Sequence, residues 1–301
     1  MKIPRFFLVL LAILTPLFAE NPPEAPTPDQ ATLRANLQKI AEGLQYQDGE
    51  ITLQGGIAKI HLPNGFRFLD PKNAEVVLSK IWGNPPGAKT LGMLVPTDIS
   101  PASASAWAVI LTYDEDGYVK DDDAEKIDYT KLLKEMQEST TEASKEREKQ
   151  GFGSIQLIGW ATPPRYDKSS HKMYWAKELK FGGSDENTLN YNIRLLGRRG
   201  VLVLNAVAGM EQLPAIQSAT PTLLSMIDFQ EGHRYSDFDS SSDKVATYGL
   251  AALVAGGIAT KAGLFKGLFV ALLAAKKFVI IGVIAIGAYL KKVFGKKNEQ
   301  G

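Results

Sequence analysis

The densest set of side chains that could bind a metal ion is a run of acids near the middle of the chain. When it is aligned on an EF-hand calcium loop, Asp114 and Asp116 fall on ligand positions three and five, Gly117 on the turn glycine and Asp123 on position twelve. Position one is Thr112 instead of an acid, and the residues before it have the pattern of a strand. We therefore expect a solvated strand-to-helix loop whose acids favour the next helix N-terminus, with calcium binding as the alternative.

A second candidate is His171, which could act as the base of an acyl-transfer triad with Asp167 and a nearby serine. The chain contains no G-x-S-x-G motif, the usual sign of a strained nucleophile elbow. His61 and His233 lie far away in sequence, so a three-histidine metal site depends on the fold bringing them together. We expect a structural histidine, with no catalytic residue, no metal and no cofactor.

Two further sets have simple structural explanations. The turn 197–200 (GRRG) could bind a phosphate or a lipid headgroup through Arg198 and Arg199, but a tight hairpin turn accounts for the same residues without a ligand. Four tryptophans could line a carbohydrate or peptide groove. Because each lies in an apolar strand or at a helix end, core packing is expected for Trp82, Trp107, Trp160 and Trp175.

Hydrophobic periodicity predicts the elements that must position these residues. Helices are expected at 31–44, 70–83, 129–150 and 211–226, the second opened by Asp70 as N-cap and Pro71 in the first turn. Strands are expected at 50–53, 57–62, 91–95, 107–113, 155–161, 172–181, 188–196 and 201–207. Strands occur in runs with helices between the runs, which favours an α+β fold with a largely antiparallel sheet and flanking helices.

The two ends of the chain predict export and membrane attachment. Residues 1–19 have a basic start, an uncharged apolar core and a small residue before Glu20, as in a cleaved secretory signal. A proline-rich leader at 20–30 precedes an exported body at 31–242. The segment 243–301 holds long apolar runs and a basic end, which predicts a membrane anchor in the inner (cytoplasmic) membrane.

Charge and cysteine content exclude several classes of function. Residues 20–244 carry a net charge of −8 and residues 245–301 a net charge of +7, so the body is acidic and the tail is basic. An acidic body does not favour nucleic-acid binding, whereas a basic apolar tail suits an anionic bilayer. Because the chain has no cysteine, disulfides, zinc–thiolate sites and cysteine nucleophiles are all excluded.

Small residues recur at every fourth position of the tail and predict a helix-packing ridge. The opposite faces are expected to contact lipid through Leu253, Leu264, Phe265, Leu268, Phe269 and Leu272. The ridge consists of Ala251, Ala255, Ala259, Gly263, Gly267, Ala271 and Ala275. Expected partners are therefore the lipid bilayer and, through the ridge, a second copy or another membrane protein. The tail is expected to cross once, with a two-helix hairpin or a second segment lying in the interface left open.

Several long runs resemble one family over most of the chain, from about Gly49 to the C-terminus. They are 81–96 (IWGNPPGAKTLGMLVP), 116–129 (DGYVKDDDAEKIDY), 171–183 (HKMYWAKELKFGG), 189–210 (LNYNIRLLGRRGVLVLNAVAGM) and 243–256 (DKVATYGLAALVAG). The family is that of bacterial membrane-anchored proteins built on domain of unknown function 2167. The resemblance implies an exported, membrane-anchored protein, and it implies no activity or site residue.

The sequence therefore favours a non-enzymatic binding or scaffolding module of the cell envelope. The alternative is a membrane-tethered hydrolase or metal-dependent enzyme that uses His171 or the acids Asp114, Asp116 and Asp123.

Overall fold

Antiparallel strand pairing organises the part of the chain that the structure, a computed structural model, describes: residues 28–84, 86–103, 105–149 and 153–256. In chain order the elements are α1 (Pro28–Glu42), β1 (Tyr46–Gln47), β2 (Glu50–Thr52), β3 (Ala58–His61), β4 (Phe66–Leu69), α2 (Pro71–Val76), β5 (Gly92–Pro96), β6 (Ala108–Asp114), α3 (Tyr129–Lys149), β7 (Ile155–Asp167), β8 (Lys172–Phe181), β9 (Thr188–Leu196), β10 (Val201–Gly209), α4 (Leu213–Ser225), β11 (Ile227–Phe229) and α5 (Leu250–Ala255). The predicted α+β class, with a large antiparallel sheet and flanking helices, is confirmed.

The main sheet has eight strands in the order β1-β4-β5-β6-β10-β9-β8-β7, and a smaller sheet has the order β11-β3-β2. All strand pairs in both sheets are antiparallel. β7 is an edge strand, and its pairing with β8 shifts register three times along its length. Pro163 and Pro164 lie within it, which is tolerated because proline at an edge removes no central ladder hydrogen bond.

Both faces of the main sheet are covered. On one face, the small sheet and α4 pack against β9 and β10, with Ile60, Ile216 and Leu223 buried in the shared core. On the other face, α1 and α2 cover the β4–β6 end. The β7–β10 end of that second face carries α3 and α5. This second face is called the helical face below.

The N-terminus of α2 is determined by residues that lie next to it in the sequence. The Asp70 carboxylate accepts hydrogen bonds from the backbone N–H of Asn73 (2.8 Å) and from its side-chain amide (2.9 Å), and Pro71 occupies the first turn, as predicted. The pKa of Asp70 is lowered because the backbone and side-chain amides of Asn73 donate to its charged form. After Val76 the helix widens into a π-helical turn, Val77–Ile81, which buries Val77 and Leu78.

Several predictions lie wholly or partly outside the described residues. The signal at 1–19, most of the leader, and the ridge positions Ala259, Gly263, Gly267, Ala271 and Ala275 belong to this group. Within the described ranges, no helix combines the length and the apolar character that crossing a bilayer requires.

Candidate functional site

The acidic loop after β6 binds the last described stretch of the chain. Residues 243–256 are called the root segment, since they precede the apolar tail. Asp116 accepts a hydrogen bond from the Tyr248 hydroxyl at 2.8 Å. The Asp123 carboxylate accepts from the backbone N–H groups of Leu250 (3.1 Å) and Ala251 (3.2 Å). Asp123 therefore satisfies the first amides of α5 from a distant point in the sequence, as an N-cap would.

The double-arginine turn binds the first residue of the root segment, Asp243. The hairpin β9–β10 forms as predicted, and Arg198 and Arg199 donate through Nε to the two carboxylate oxygens of Asp243, at 2.6 and 3.3 Å. The Asp243 side chain is only 2% exposed. The Arg198 hydrogen bond is the main cause that lowers its pKa to about 2. The guanidiniums are thus paired with an acid of this chain.

A backbone bridge and apolar burial complete the attachment. The N–H of Tyr118 donates to the carbonyl of Lys244, and the N–H of Ala246 donates to the carbonyl of Tyr118, both at 2.8 Å. Leu253 is 4% exposed and packs in the protein core, so the prediction that it faces lipid is wrong. The described body therefore continues past residue 242, through the root segment.

The helix of the root segment is short. It ends at Ala255, and Gly256 takes the left-handed conformation (φ 113°) that closes a helix C-terminus. The ridge positions Ala251 and Ala255 lie on α5 and are partly buried. The remainder of the ridge stays a prediction.

The three acids aligned on a calcium loop are placed in different environments. Asp114 is exposed at the end of β6, whereas Asp116 and Asp123 are hydrogen-bonded to the root segment. Within the described ranges, no three acids or histidines are grouped so that they could hold a metal ion. Asp128, at the end of the same loop, accepts from the N–H groups of Thr130 and Lys131 at 3.0 Å and caps α3.

His171 meets an acid that sequence spacing did not indicate. Its Nδ1 lies 3.6 Å from Asp121 and 3.2 Å from the Tyr166 hydroxyl, and its ring stacks on Tyr235 at 4.0 Å. Tyr166 and Tyr235 donate to the two Asp121 oxygens at 2.7 and 3.1 Å. These four residues are called the Asp121 cluster. Asp167, the acid predicted for a triad, instead accepts from Ser169 and Ser170 in the β7–β8 turn.

The charges and hydrogen bonds of the Asp121 cluster determine which of its groups are protonated. Burial alone would raise the pKa of Asp121, but the two tyrosine hydroxyls and His171 hold it below its ordinary value. Burial and the neighbouring carboxylate raise the pKa values of Tyr166 and Tyr235. At neutral pH the Asp121 carboxylate therefore accepts hydrogen bonds from the two protonated tyrosine hydroxyls. These contacts connect the acidic loop to the β7–β8 turn and to the chain at Tyr235.

The tryptophans lie in the core or at its margin. Trp82, Trp107 and Trp175 are buried, and Trp160 is half-buried with its indole N–H donating to the Tyr129 carbonyl at 3.3 Å. Trp82 donates to the Pro101 carbonyl at 2.9 Å.

The other histidines lie apart from His171. The imidazole of His61 is exposed and lies beside Glu50 at 3.3 Å, whereas the carbonyl of His233 accepts from the Arg198 backbone N–H.

One set of polar residues was missed by sequence reasoning. Lys177 on β8, Asn190, Asn192 and Arg194 on β9, and Asn205 on β10 are all buried on the helical face. The polar residues of β9 alternate with apolar ones, and this alternation was the only sign of the set in the sequence. The same alternation is typical of a sheet with one face in solvent, so it did not indicate that these residues are buried.

Comparison with known proteins gives a family and a weak likeness of fold. No curated protein matches the sequence. The solution structure of cyanobacterial PsbP (CyanoP) from Synechocystis sp. PCC 6803 is 14% identical with a TM-score of 0.33, covering 62% of this chain and 92% of that one. The Saccharomyces cerevisiae Ran-binding protein Mog1p is 11% identical with a TM-score of 0.32, covering 65% of this chain and 100% of that one. Neither likeness bears on function. The profile of the family described as protein of unknown function (DUF2167) matches residues 45–287, and the chain therefore belongs to this family.

Proposed function

We propose that the protein is a non-enzymatic binding module of the cell envelope, tethered to the inner membrane by the apolar tail that follows its root segment. The observation that carries this proposal is the attachment of the root segment to the body. Two charged groups hold this short stretch, the double-arginine turn at its first residue and the acidic loop at the start of α5. A tail that leaves a body from such a fixed point holds the body in a defined orientation, as a membrane-bound receptor or scaffold requires.

The chemistry of the acidic loop supports a holding role for it. Asp116, Asp121 and Asp123 each accept hydrogen bonds from residues far away in sequence. Carboxylates committed to hydrogen bonds inside the fold stabilise it, and their remaining acceptor capacity for a substrate or metal is reduced.

The test of the tether is fractionation of cells that produce the full chain. We expect the protein in the membrane fraction after an alkaline carbonate wash, with the body accessible to protease only from the exported side. A chain that ends at Gly256 is the matched control, and it should be released as a soluble exported protein. Full-length protein in the soluble fraction would refute the tether.

A hydrolase is the second candidate, and the His171–Asp121 pair favours it, because a base oriented by an acid is part of a catalytic triad. The full chain and its His171→Gln variant should hydrolyse p-nitrophenyl acetate at the same rate if the module is non-enzymatic. A rate that falls by a factor of ten or more in the variant would favour the hydrolase.

A further inference from the structure

Polar side chains occupy the centre of the helical face, where apolar ones are expected. On β9, Asn190, Asn192 and Arg194 are 2%, 3% and 9% exposed. In the strand register, Lys177 on β8 lies directly opposite Asn190, and Trp175 lies directly opposite Asn192. On the other side, Asn205 of β10 also lies opposite Asn192. These six residues are neighbours on one face, and they are called the donor cluster.

A chain of hydrogen bonds fixes the direction of the amides in the donor cluster. Arg194 donates through Nη2 to Oδ1 of Asn192 at 3.2 Å, and Asn192 donates through Nδ2 to Oδ1 of Asn190 at 2.9 Å. Because a guanidinium can only donate, Asn192 must turn its oxygen towards Arg194 and its nitrogen towards Asn190. The Asn190 amide is thereby oriented with its own nitrogen directed away from the chain of hydrogen bonds.

Three donors of the cluster have no acceptor among the described residues. Nδ2 of Asn190 and Nε1 of Trp175 are buried atoms without a hydrogen-bond partner. Lys177 is 8% exposed as a residue, and its ammonium, which is not one of these fully buried atoms, forms no hydrogen bond or ion pair within the described part of the chain. Buried donors are normally paired, and each one left alone destabilises the fold. Two fully buried unpaired donors, next to an ammonium without a partner at the adjacent register position, indicate a missing acceptor.

The cluster also carries two cations, Lys177 and Arg194, that form no ion pair with an acid among the described residues. Arg194 donates to Asn192, to Asn205 and to a backbone carbonyl, but it forms no salt bridge in the described part of the chain. Burial, together with the charge of Arg194, lowers the pKa of Lys177 to about 8. Asp114 favours the charged form of Arg194, but burial raises the pKa of Asp114 and the two side chains form no salt bridge. Lysine and arginine are rarely buried without a counter-ion.

We propose that the donor cluster binds a small oxyanion, a carboxylate or phosphate group, whose oxygens accept from Lys177, Asn190 and Trp175. Such a group supplies both things that the cluster lacks, several acceptor atoms and negative charge. Arg194, whose guanidinium lies 5.1 Å from the centre of the Trp175 ring, orients the amides and adds charge. This inference rests on the proposed function, since it names the ligand class of the binding module.

The experiment uses the full chain in a neutral detergent at pH 7, in a buffer free of oxyanions. Sodium phosphate and sodium acetate are titrated separately against sodium chloride at equal ionic strength, while Tm and tryptophan fluorescence are recorded. We expect a saturable rise in Tm with at least one oxyanion and none with chloride. A response to phosphate alone identifies a phosphate site, and a response to acetate identifies a carboxylate site. Equal behaviour in all three salts would overturn the proposal.

Substitutions separate a binding lysine from a structural one. Lys177→Met removes the ammonium at nearly constant volume, so it should weaken the oxyanion response at least tenfold while the Tm without oxyanion stays equal or rises. Lys180→Met, an exposed position on the same strand, changes the net charge equally and should leave the response intact. An unchanged response in Lys177→Met, or a Tm lowered by several degrees without oxyanion, would overturn the assignment.

Asn190→Asp keeps the proposal testable if Lys177→Met does not fold, because it places a carboxylate beside Lys177. We expect this variant to have a higher Tm than the wild type without oxyanion and to lose the oxyanion response. A lower Tm with the response retained would contradict the proposal. Membrane fractionation is independent of these measurements, so a failure of the tether and a failure of the oxyanion site are distinguishable.

Discussion

Replacing Asp123 by alanine tests whether the acidic loop holds the root segment. The substitution removes both acceptors of the Leu250 and Ala251 amides, which then face the loop without a partner. Loss of a side-chain cap typically costs about 0.5–2 kcal/mol. The buried side chains of α5, Leu250, Leu253 and Val254, are unaffected, and each contributes about 1.5–3 kcal/mol by burial. The helix should therefore stay docked but open more often.

The expected size of the effect follows from these values. A loss of about 0.5–2 kcal/mol in local stability raises the open population by a factor of about 2–30. Amide hydrogen exchange measured on the full chain in detergent reports this opening peptide by peptide. Exchange should accelerate by that factor in the peptide covering 248–256 and remain unchanged in the central strands β9 and β10.

Two variants calibrate the measurement. Asp123→Asn keeps one carbonyl acceptor and should give an intermediate rate, whereas Asp122→Ala removes an exposed neighbouring carboxylate and should match the wild type. The reasoning fails if Asp123→Ala and Asp122→Ala exchange equally in 248–256. It also fails if Asp123→Ala accelerates exchange uniformly across the body, since that pattern indicates global destabilisation.

Two further outcomes are expected. Lys172 donates to the carbonyls of Leu224 (2.6 Å) and Ile227 (3.0 Å) and so joins β8 to the end of α4. Lys172→Met should therefore lower the free energy of unfolding, measured in urea, by about 1.5–3 kcal/mol. The control variant Lys168→Met, at an exposed position, should stay within about 0.5 kcal/mol of the wild type. Asp243 has a pKa lowered from 3.8 to about 2, so its ion pairs with Arg198 and Arg199 stabilise the protein above pH 3.8 and this stabilisation is lost as the pH falls towards 2. Asp243→Asn should therefore be less stable than the wild type at neutral pH and equally stable at pH 2, and a stability difference that does not change between these pH values would contradict this assignment.

Most of the fold was predictable because most elements carry their own local signal. The pattern of β8 and β9 gave the observed bounds, and the Asp70 cap with Pro71 gave the start of α2. β4 and β11, of four and three residues, were missed, whereas the equally short β3 and β2 were predicted. These short strands are held by their partners in the sheets, and that information is absent from their own residues.

The contacts of the candidate sites were not predictable, because their members are far apart along the chain. Tyr248 lies 132 residues after Asp116, and Tyr235 lies 114 residues after Asp121. Local spacing instead favoured Asp167 for His171, whereas the serines next to Asp167 occupy its carboxylate in a tight turn. Spacing identifies residues that could act together, and only the strand order determines which of them meet.

The donor cluster could not be predicted either, because the sequence pattern of β9 does not show that both faces of the sheet are covered. Read alone, the alternation of Asn190, Asn192 and Arg194 with Tyr191, Ile193 and Leu195 indicates one wet face and one dry face of β9. The structure covers both faces, so the polar residues are buried, and solvation cannot account for them. Some of their hydrogen bonds are made within the cluster. The side-chain nitrogen of Asn190 and the ammonium of Lys177, however, have no hydrogen-bond acceptor among the described residues. A strand that served packing alone would carry apolar residues at these positions, and a polar network that served stability alone would satisfy its own donors. The unmatched donors are therefore best explained by an acceptor that binds from outside the fold.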